Sequence, residues 1–274
     1  MQTLSVTNLK GGAGKTSSSV GIADALTEAG ADVLVVDLDP QGTASAWMGR
    51  RSDACRHLLT TGFDPSEHVL SIKDDPGRLD MITANRSLER AEDRRASDLA
   101  SRLERLWKGS ESSYDIAMLD TPPQAGTLVT AALLSTAAAI VPVAPGRGPV
   151  DGLKHVMEYT KRIGGANVEA AFACNVDLRS KLHKTLPHQL VERLGPLDKQ
   201  GKAARHYVRS TVRVQEAEAK GELLSVFASS STAWTDYKAL TSEIGDVTGV
   251  QFARESEGHH VTRDDMEQYR TSNS

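Results

Sequence analysis

One short stretch of this 274-residue sequence has the residue types and spacing needed to hold a chain of phosphates: Lys10-Gly11-Gly12-Ala13-Gly14-Lys15-Thr16-Ser17. Glycines let the backbone wrap closely around phosphate oxygens and direct its N–H groups at them. A strand is predicted just before the stretch, over 3–7, and a helix just after it, over 17–29, whose N-terminus adds a partial positive charge. In this setting Lys15 can reach the β- and γ-phosphates of a nucleotide, and the Thr16 hydroxyl can ligate Mg²⁺. The stretch therefore predicts a nucleotide-binding phosphate loop.

Two apolar runs further along the chain end in an acidic residue, and both are predicted to be buried parallel strands. The first covers 33–37 and continues from Asp37 through Leu38 to Asp39, and the second covers 115–120 and ends at Asp120. The carboxyl ends of parallel strands meet at one edge of a sheet, so these carboxylates are expected beside the phosphate loop. Asp and Pro are also ordinary turn formers, but a plain turn does not explain why the first pair of acids follows a phosphate loop at this distance.

The phosphate loop departs from the general G-x-x-x-x-G-K-[ST] pattern in one respect. Leu9 replaces the first glycine, and a second lysine, Lys10, stands five residues before Lys15. This KGGxGKT form, followed by DLDPQG at 37–42 and DTPP at 120–123, resembles the ParA/MinD group of P-loop ATPases and, within it, the ParA family. The resemblance extends over about residues 1–248, with the three motifs in the family's order.

The resemblance implies an ATPase with ATP and Mg²⁺ as cofactors, working as a homodimer that forms on ATP binding. Lys10 is then expected to reach the nucleotide of the partner subunit, and Asp39 to position the attacking water. Asn175 is expected at the adenine, although Asn is also a common turn residue and both roles stay open. The implied site residues are Lys10, Lys15 and Asp39 for catalysis; Gly11, Gly12, Ala13, Gly14, Lys15, Thr16, Ser17 and Asn175 for the nucleotide; and Thr16, Asp37 and Asp120 for the metal.

Residues 179–220 differ in charge from the rest of the chain. They carry ten Lys and Arg against four acids, a net charge of +6 in a chain whose formal charge is −4. Such an asymmetry is typical of a surface that meets a polyanion, and members of the resembled family bind DNA without sequence preference through basic residues in this part. The alternative is a solvated helix surface that happens to be basic. The sequence predicts DNA contacts at Lys199, Lys202, Arg205, Arg209 and Arg213.

Within that region, Val208-Arg209-Ser210-Thr211-Val212-Arg213-Val214-Gln215-Glu216-Ala217 resembles the family's I-P-x-x-V-R-x-x-E-A-P segment. Arg209 and Glu218 replace its two prolines. The basic residues that family members carry shortly downstream are replaced by ASSST at 228–232. Weaker DNA binding than is usual in the family would follow.

Composition and element order predict the fold. The chain is 39% hydrophobic and 25% charged, and Cys55 and Cys174 have neither metal nor redox spacing, which suits a cytoplasmic α/β protein with reduced thiols. Alternating strands and helices predict a single-domain, doubly wound, mostly parallel sheet with helices on both faces. The predicted division is a P-loop ATPase domain over 1–250 and a polar, frayed tail over 251–274, with a last strand at 223–227. The phosphate loop begins at residue 10, so no N-terminal helix-turn-helix domain is expected.

Three functions remain open at this stage. The first is a DNA-partitioning ATPase that associates with the nucleoid and is released by a ParB-like centromere-binding partner. The second is a ParA-like ATPase that positions a protein cargo, which the sequence does not separate from the first. The third is a MinD-like membrane-associated division regulator, but the 254–274 region offers few apolar residues among many acids, a poor membrane face. The sequence therefore predicts that the protein has no membrane partner. An ATP-dependent electron donor with an iron–sulfur cluster needs paired cysteines, and the positions of Cys55 and Cys174 do not match that requirement.

Overall fold

Seven strands form one sheet at the centre of the molecule. The computed structural model describes residues 1–60, 68–146, 148–197, 201–245 and 260–273. The strands are β1 (Gln2–Val6), β2 (Val33–Asp37), β3 (Val69–Lys73), β4 (Leu79–Ile82), β5 (Ile116–Asp120), β6 (Ala138–Val143) and β7 (Asn167–Ala173). Their order across the sheet is β3-β4-β2-β5-β1-β6-β7. All neighbouring pairs are parallel except β3 with β4, so the predicted mostly parallel sheet is confirmed.

Helices connect the parallel strands and cover both faces of the sheet. They are α1 (Lys15–Glu28), α2 (Thr43–Trp47), α3 (Ala54–Thr60), α4 (Ala96–Ser110), α5 (Thr127–Ser135), α6 (Pro149–Ile163), α7 (Lys181–Leu194), α8 (Val212–Lys220), α9 (Leu224–Phe227), α10 (Thr232–Glu243) and α11 (Arg263–Asn273), with a 3-10 helix at Arg86–Ala91. Within the described parts of the chain, no helix is both long enough and apolar enough to cross a membrane.

Strand β2 shows why both faces are covered. Val33 and Val35 pack in one hydrophobic cluster, which includes α1 and α10. Leu34 and Val36 point the opposite way and pack in a second cluster with α4 and α5. Side chains of a strand alternate between the two faces, so an unbroken apolar run such as this one requires helices on both sides.

Two of the sequence predictions for the C-terminal part were wrong. The predicted strand at 223–227 is the short helix α9, which begins where the Asp24 carboxylate accepts hydrogen bonds from the backbone N–H and the hydroxyl of Ser225 (2.9 and 2.6 Å). The predicted frayed tail instead contains α11, while residues 251–259 lie outside the described part. Val261 and Met266 are buried against the α7 side of the molecule, and these few apolar residues hold an otherwise polar helix.

Candidate nucleotide-binding site

The loop between β1 and α1 has the backbone geometry of a phosphate cradle. Gly12 and Gly14 have positive φ values of 70° and 80°, a region that residues with a Cβ rarely adopt. Gly14 is also the N-cap of α1, and no side chain caps this helix end, so its first N–H groups depend on an acceptor from outside the helix. A Cβ at Gly14 would lie 2.7 Å from the Cys174 sulfur. Glycine is therefore required there for both conformation and space.

Asp120 is joined to the start of α1 by two hydroxyl groups. The Thr16 hydroxyl donates to its Oδ2 and the Ser19 hydroxyl to its Oδ1, both at 2.8 Å. Strand register places Asp37 directly beside Asp120 at the carboxyl edge of the sheet. The structure thus brings together Thr16, Asp37 and Asp120, the three residues expected around the metal.

Burial strongly affects the ionisation of this group. Asp37 and Asp120 are both fully buried. The pKa of Asp120 is raised to about 7, mainly by desolvation and in addition by the neighbouring Asp37 charge. Burial lowers the pKa of Lys15, whereas Asp120 and Asp39 oppose that change. A cation bound at this edge would favour the ionised carboxylate.

The carboxylate of Asp37 holds the loop that carries Asp39. Its oxygens accept hydrogen bonds from the Asp39 N–H (3.0 Å) and from the Ser45 N–H and hydroxyl (2.9 and 2.6 Å). Asp39 itself is partly exposed, and one of its oxygens accepts from the Gln41 N–H at 2.9 Å. Both oxygens of Asp37 accept from this loop, as both oxygens of Asp120 accept from α1, so Asp37 anchors the loop of Asp39 and Asp120 anchors the start of α1.

The two lysines of the phosphate loop face different environments. Lys15 is 7% exposed, and its ammonium donates to the Lys10 carbonyl at 3.2 Å. Lys10 is exposed, and its ammonium lies 3.2 Å from the position that a Cβ on Gly146 would take. The Lys10 N–H donates to the Asn8 side chain, whose amide in turn donates to the Pro142 carbonyl at 2.8 Å. Asn8 thereby ties the loop to the end of β6.

A cavity of about 300 Å³ opens from the phosphate loop. Asn175 lines it at the end of β7 and is exposed, with a left-handed φ of 54°. Its place beside the cavity is compatible with a contact to a base, and its φ is compatible with a turn. The cavity is lined by Gly12, Gly14 to Ser17, Cys174, Asn175, Val208 to Thr211, Val214, Gln215, Glu218 and Tyr237.

The residues expected to bind DNA do not form one free basic patch. Lys202 pairs with Glu169 near the start of β7 (3.0 Å), and Arg213 pairs with Glu216 on α8 (2.8 Å). Parallel bridges pair Ala203 with Ala171 of β7 and Arg209 with Val176 beyond its end, so Lys202 lies further from the phosphate-loop edge than Arg209 does.

Two further members of that set are tied into the protein, and one is not described. Arg209 lines the cavity, and its guanidinium donates to both carboxylate oxygens of the fully buried Asp236 (2.8 and 2.7 Å). Arg205 is half-buried and reaches the Val261 carbonyl at 3.5 Å. Lys199 lies outside the described residues. Three of the ten cations counted along the sequence, Arg179, Lys202 and Arg209, thus pair with acids outside that region.

Several residues that shape the site have no obvious motif in the sequence. Ser19 could have been recognised, because it lies three residues after Thr16 and therefore on the same side of α1. Ser45 and Asn8 carry no such signal, since their partners Asp37 and Pro142 come close only in the folded chain. Cys174, whose thiol donates to the Ala13 carbonyl at 3.1 Å, is likewise a contact partner of the loop that spacing does not reveal.

The residues at this edge fit Mg²⁺ only together with a nucleotide. Within the described ranges, no group of three or more His, Cys, Asp or Glu side chains is placed to hold a metal ion. Mg²⁺ is commonly held by one or two carboxylates, waters and substrate phosphates rather than by an all-protein cage. The Thr16 hydroxyl and the Asp120 carboxylate, next to a glycine cradle with uncapped N–H groups, match that donor set.

Comparisons with known proteins agree with this geometry. The AAA domain family matches residues 1–171. A ParA family protein of Chlamydia trachomatis is 29% identical over 254 residues, covering 89% of this chain and 97% of that protein. The chromosome-partitioning ATPase Soj of Treponema pallidum is 26% identical over 254 residues, covering 89% and 96%. The structure of apo McdA from Cyanothece superposes with a TM-score of 0.76 at 19% identity, over 89% of this chain and 100% of that one. The chain therefore belongs to the ParA family of P-loop ATPases.

Proposed function

We propose that this ATPase partitions DNA: an ATP-bound homodimer binds DNA without sequence preference, and a ParB-like partner releases it by stimulating hydrolysis. The similarity to a chromosome-partitioning ATPase supports this assignment. The observation that carries the nucleotide-dependent part is the contrast between the two lysines. Lys15 is buried within its own loop, whereas Lys10 is exposed at the surface, where a second subunit could be reached.

In this proposal the chain's own residues hold and orient the substrate. The N–H groups of residues 11–17 and the Lys15 ammonium bind the phosphates, and Asn175 contacts the adenine. Thr16 and Asp120 would hold Mg²⁺, which would neutralise charge on the phosphate oxygens. Asp39, on a loop fixed by Asp37, orients the attacking water. ATP favours the dimer because its phosphates are contacted from both subunits.

Exposed cations near the phosphate loop form the proposed DNA surface. Near the phosphate-loop edge, Lys181 and Lys184 on α7 are exposed, and neither ammonium group has a hydrogen-bond or ion-pair partner among the described residues. Arg213 is about half exposed in its pair with Glu216. We infer that these three residues contribute more to DNA binding than Arg209, because a phosphate would have to break the pair of Arg209 with the buried Asp236. They should also contribute more than Lys202, because Lys202 lies further from the phosphate-loop edge.

Binding to non-specific duplex DNA, measured with ATP, with ADP and without nucleotide across a salt series, tests the proposal. We expect binding with ATP alone, falling steeply with salt because each phosphate contact releases counterions. Lys181→Glu with Lys184→Glu should weaken it, whereas Lys202→Glu, whose pair with Glu169 lies away from α7, serves as the matched control. Lys10→Ala should retain ATP binding and lose both ATP-dependent dimerisation and DNA binding.

The opposite results have distinct meanings. A larger loss of DNA affinity with Lys202→Glu than with the double variant would indicate a DNA surface around Lys202 instead of on α7. ATP-dependent dimerisation without DNA binding in any state would contradict the DNA track and favour a protein cargo or surface. A lipid surface is disfavoured by α11, since its buried Met266 and the stacking of Tyr269 on His188 (5.5 Å between ring centroids) already engage its apolar side.

A further inference from the structure

Helix α8 forms one wall of the nucleotide cavity. Val214, Gln215 and Glu218 line the cavity, and the phosphate loop from Gly12 to Ser17 lines its other side. The lining residues of α8 are three to four positions apart, so they share one face of the helix. The side chain of Thr211 caps the helix by accepting from the Arg213 N–H at 3.3 Å. This face is therefore held toward any nucleotide that occupies the phosphate loop.

Glu218 differs from the other charged residues of this wall because its carboxylate has no partner. It makes no hydrogen bond or ion pair with any side chain in the described part of the protein, and Arg209 and Arg213 are already paired with Asp236 and Glu216. An unpaired carboxylate is an acceptor only. It needs a donor when a ligand displaces the water around it.

The chemistry of a nucleoside triphosphate limits which part can lie next to Glu218. The phosphates are anionic and would be repelled, so the carboxylate must face the nucleoside. The ribose offers two adjacent hydroxyl donors, which suit the two oxygens of one carboxylate, as in the dinucleotide sites where an acid binds the ribose hydroxyl. We propose that Glu218 accepts hydrogen bonds from the ribose hydroxyls and makes this site selective for ribonucleotides over deoxyribonucleotides.

The position of Asn175 agrees with this assignment. The chain beside it leads into α8, since the Val176 N–H donates to the Val208 carbonyl at 3.1 Å. Glu218 lies about two helical turns beyond the start of that helix. The base can therefore contact Asn175 at one end of the wall while the ribose contacts Glu218 further along it. The inference rests on the nucleotide placement proposed above.

Calorimetric titration of the full chain with ATP, 2′-deoxy-ATP and 3′-deoxy-ATP, each with Mg²⁺, tests the inference. The wild-type protein should prefer ATP by about tenfold or more, the effect of a hydrogen bond to a charged group. Glu218→Ala should remove this preference by weakening ATP while leaving the deoxynucleotides nearly unchanged. Glu216→Gln is the matched control, since Glu216 lies on the same helix, pairs with Arg213 and does not line the cavity.

Each contrary outcome overturns a defined part of the argument. A wild-type protein without a preference for ATP, or a Glu218→Ala variant that keeps it, would refute the ribose contact. An equal loss for all three nucleotides would also refute it, because the side chain would then act only on the shape of the cavity. A titration with inosine triphosphate tests the base. If Glu218→Ala lost only the preference for ATP over inosine triphosphate, Glu218 would contact the adenine amino group instead of the ribose. Lys15→Ala separately tests the placement, which fails if that variant binds ATP as the wild type does.

Discussion

The pair between Arg209 and Asp236 gives the clearest test of whether a basic residue in this region serves DNA or the fold. Asp236 is fully buried and the Arg209 side chain is 22% exposed. The carboxylate also accepts from the Arg209 backbone N–H at 3.0 Å. Arg209→Ala would leave Asp236 without its counter-charge in the interior, and removing one partner of a buried pair typically costs about 3–5 kcal/mol. Because Arg209 keeps some contact with water, we expect the lower end of that range.

Urea denaturation followed by circular dichroism measures this loss directly. The midpoint should fall while the slope stays unchanged, because the surface exposed on unfolding is the same. In a thermal scan the same loss corresponds to a drop of about 6–12 °C for a chain of this size. Arg213→Ala is the matched control, since its pair with Glu216 is about half exposed on both sides. We expect that variant to lose at most about 1 kcal/mol.

A double variant decides whether the cause is the unpaired charge. Asp236→Asn replaces the carboxylate with a neutral amide that needs no counter-ion, so Arg209→Ala with Asp236→Asn should be less destabilised than the sum of the two single variants. The reasoning is refuted if Arg209→Ala is as stable as Arg213→Ala, or if the two single losses simply add. In that case Arg209 would return as a candidate DNA contact.

Two further predictions concern the phosphate loop and its carboxylates. Gly14→Ala places a Cβ 2.7 Å from the Cys174 sulfur at a φ of 80°, so ATP affinity measured by titration should fall at least about tenfold, since the loop must shift. A Cβ at Gly11 would meet open space, so Gly11→Ala should lower the ATP affinity much less. Equal losses of affinity in the two variants would contradict the clash at Gly14. Burial raises the pKa of Asp120 to about 7, above the value near 4 of an unfolded chain. The folded protein therefore keeps a proton that the unfolded chain has released, and the free energy of unfolding falls as pH rises between these values. Mg–ATP favours the ionised form of Asp120, so binding of Mg–ATP at pH 6 should release protons. Calorimetry should show this as a heat of binding that depends on the buffer, and Asp120→Asn should reduce the dependence. A heat of binding that is the same in all buffers would contradict the prediction.

The catalytic edge of the sheet was predictable because its residues are placed by local rules. A glycine-rich turn between a strand and a helix fixes the phosphate loop, and acids that end parallel strands must meet beside it. Asp37 and Asp120 are indeed neighbours in the strand register. The pattern did not distinguish their functions, because the same carboxylate can bind metal or anchor a loop. The folded contacts add that Ser45 holds Asp37, whereas Thr16 and Ser19 hold Asp120.

The C-terminal elements were harder to predict because tertiary contacts determine them. Residues 223–227 have the apolar composition of a strand, but Asp24, about two hundred positions earlier in the chain, caps the first turn of a helix there. Helix α11 is highly polar and has no strong apolar period. It is held by Val261, Met266 and the stacking of Tyr269 on His188, which are contacts that composition alone does not reveal.

The basic region shows how charge counted along a chain can mislead. Counting the excess of positive charge over 179–220 treats the nearest acids in sequence as the partners of these cations. In the fold, Lys202 and Arg209 pair instead with Glu169 and Asp236, both outside that region. The pair of Arg209 with the buried Asp236 removes that cation from a phosphate-binding surface, because a DNA contact would have to compensate for the broken pair. The partly exposed pair of Lys202 with Glu169 is a weaker restraint. What remains near the nucleotide is a smaller set of exposed lysines on α7. A DNA surface built on them would use fewer phosphate contacts, and its affinity should therefore depend less steeply on salt than one built on all five predicted residues.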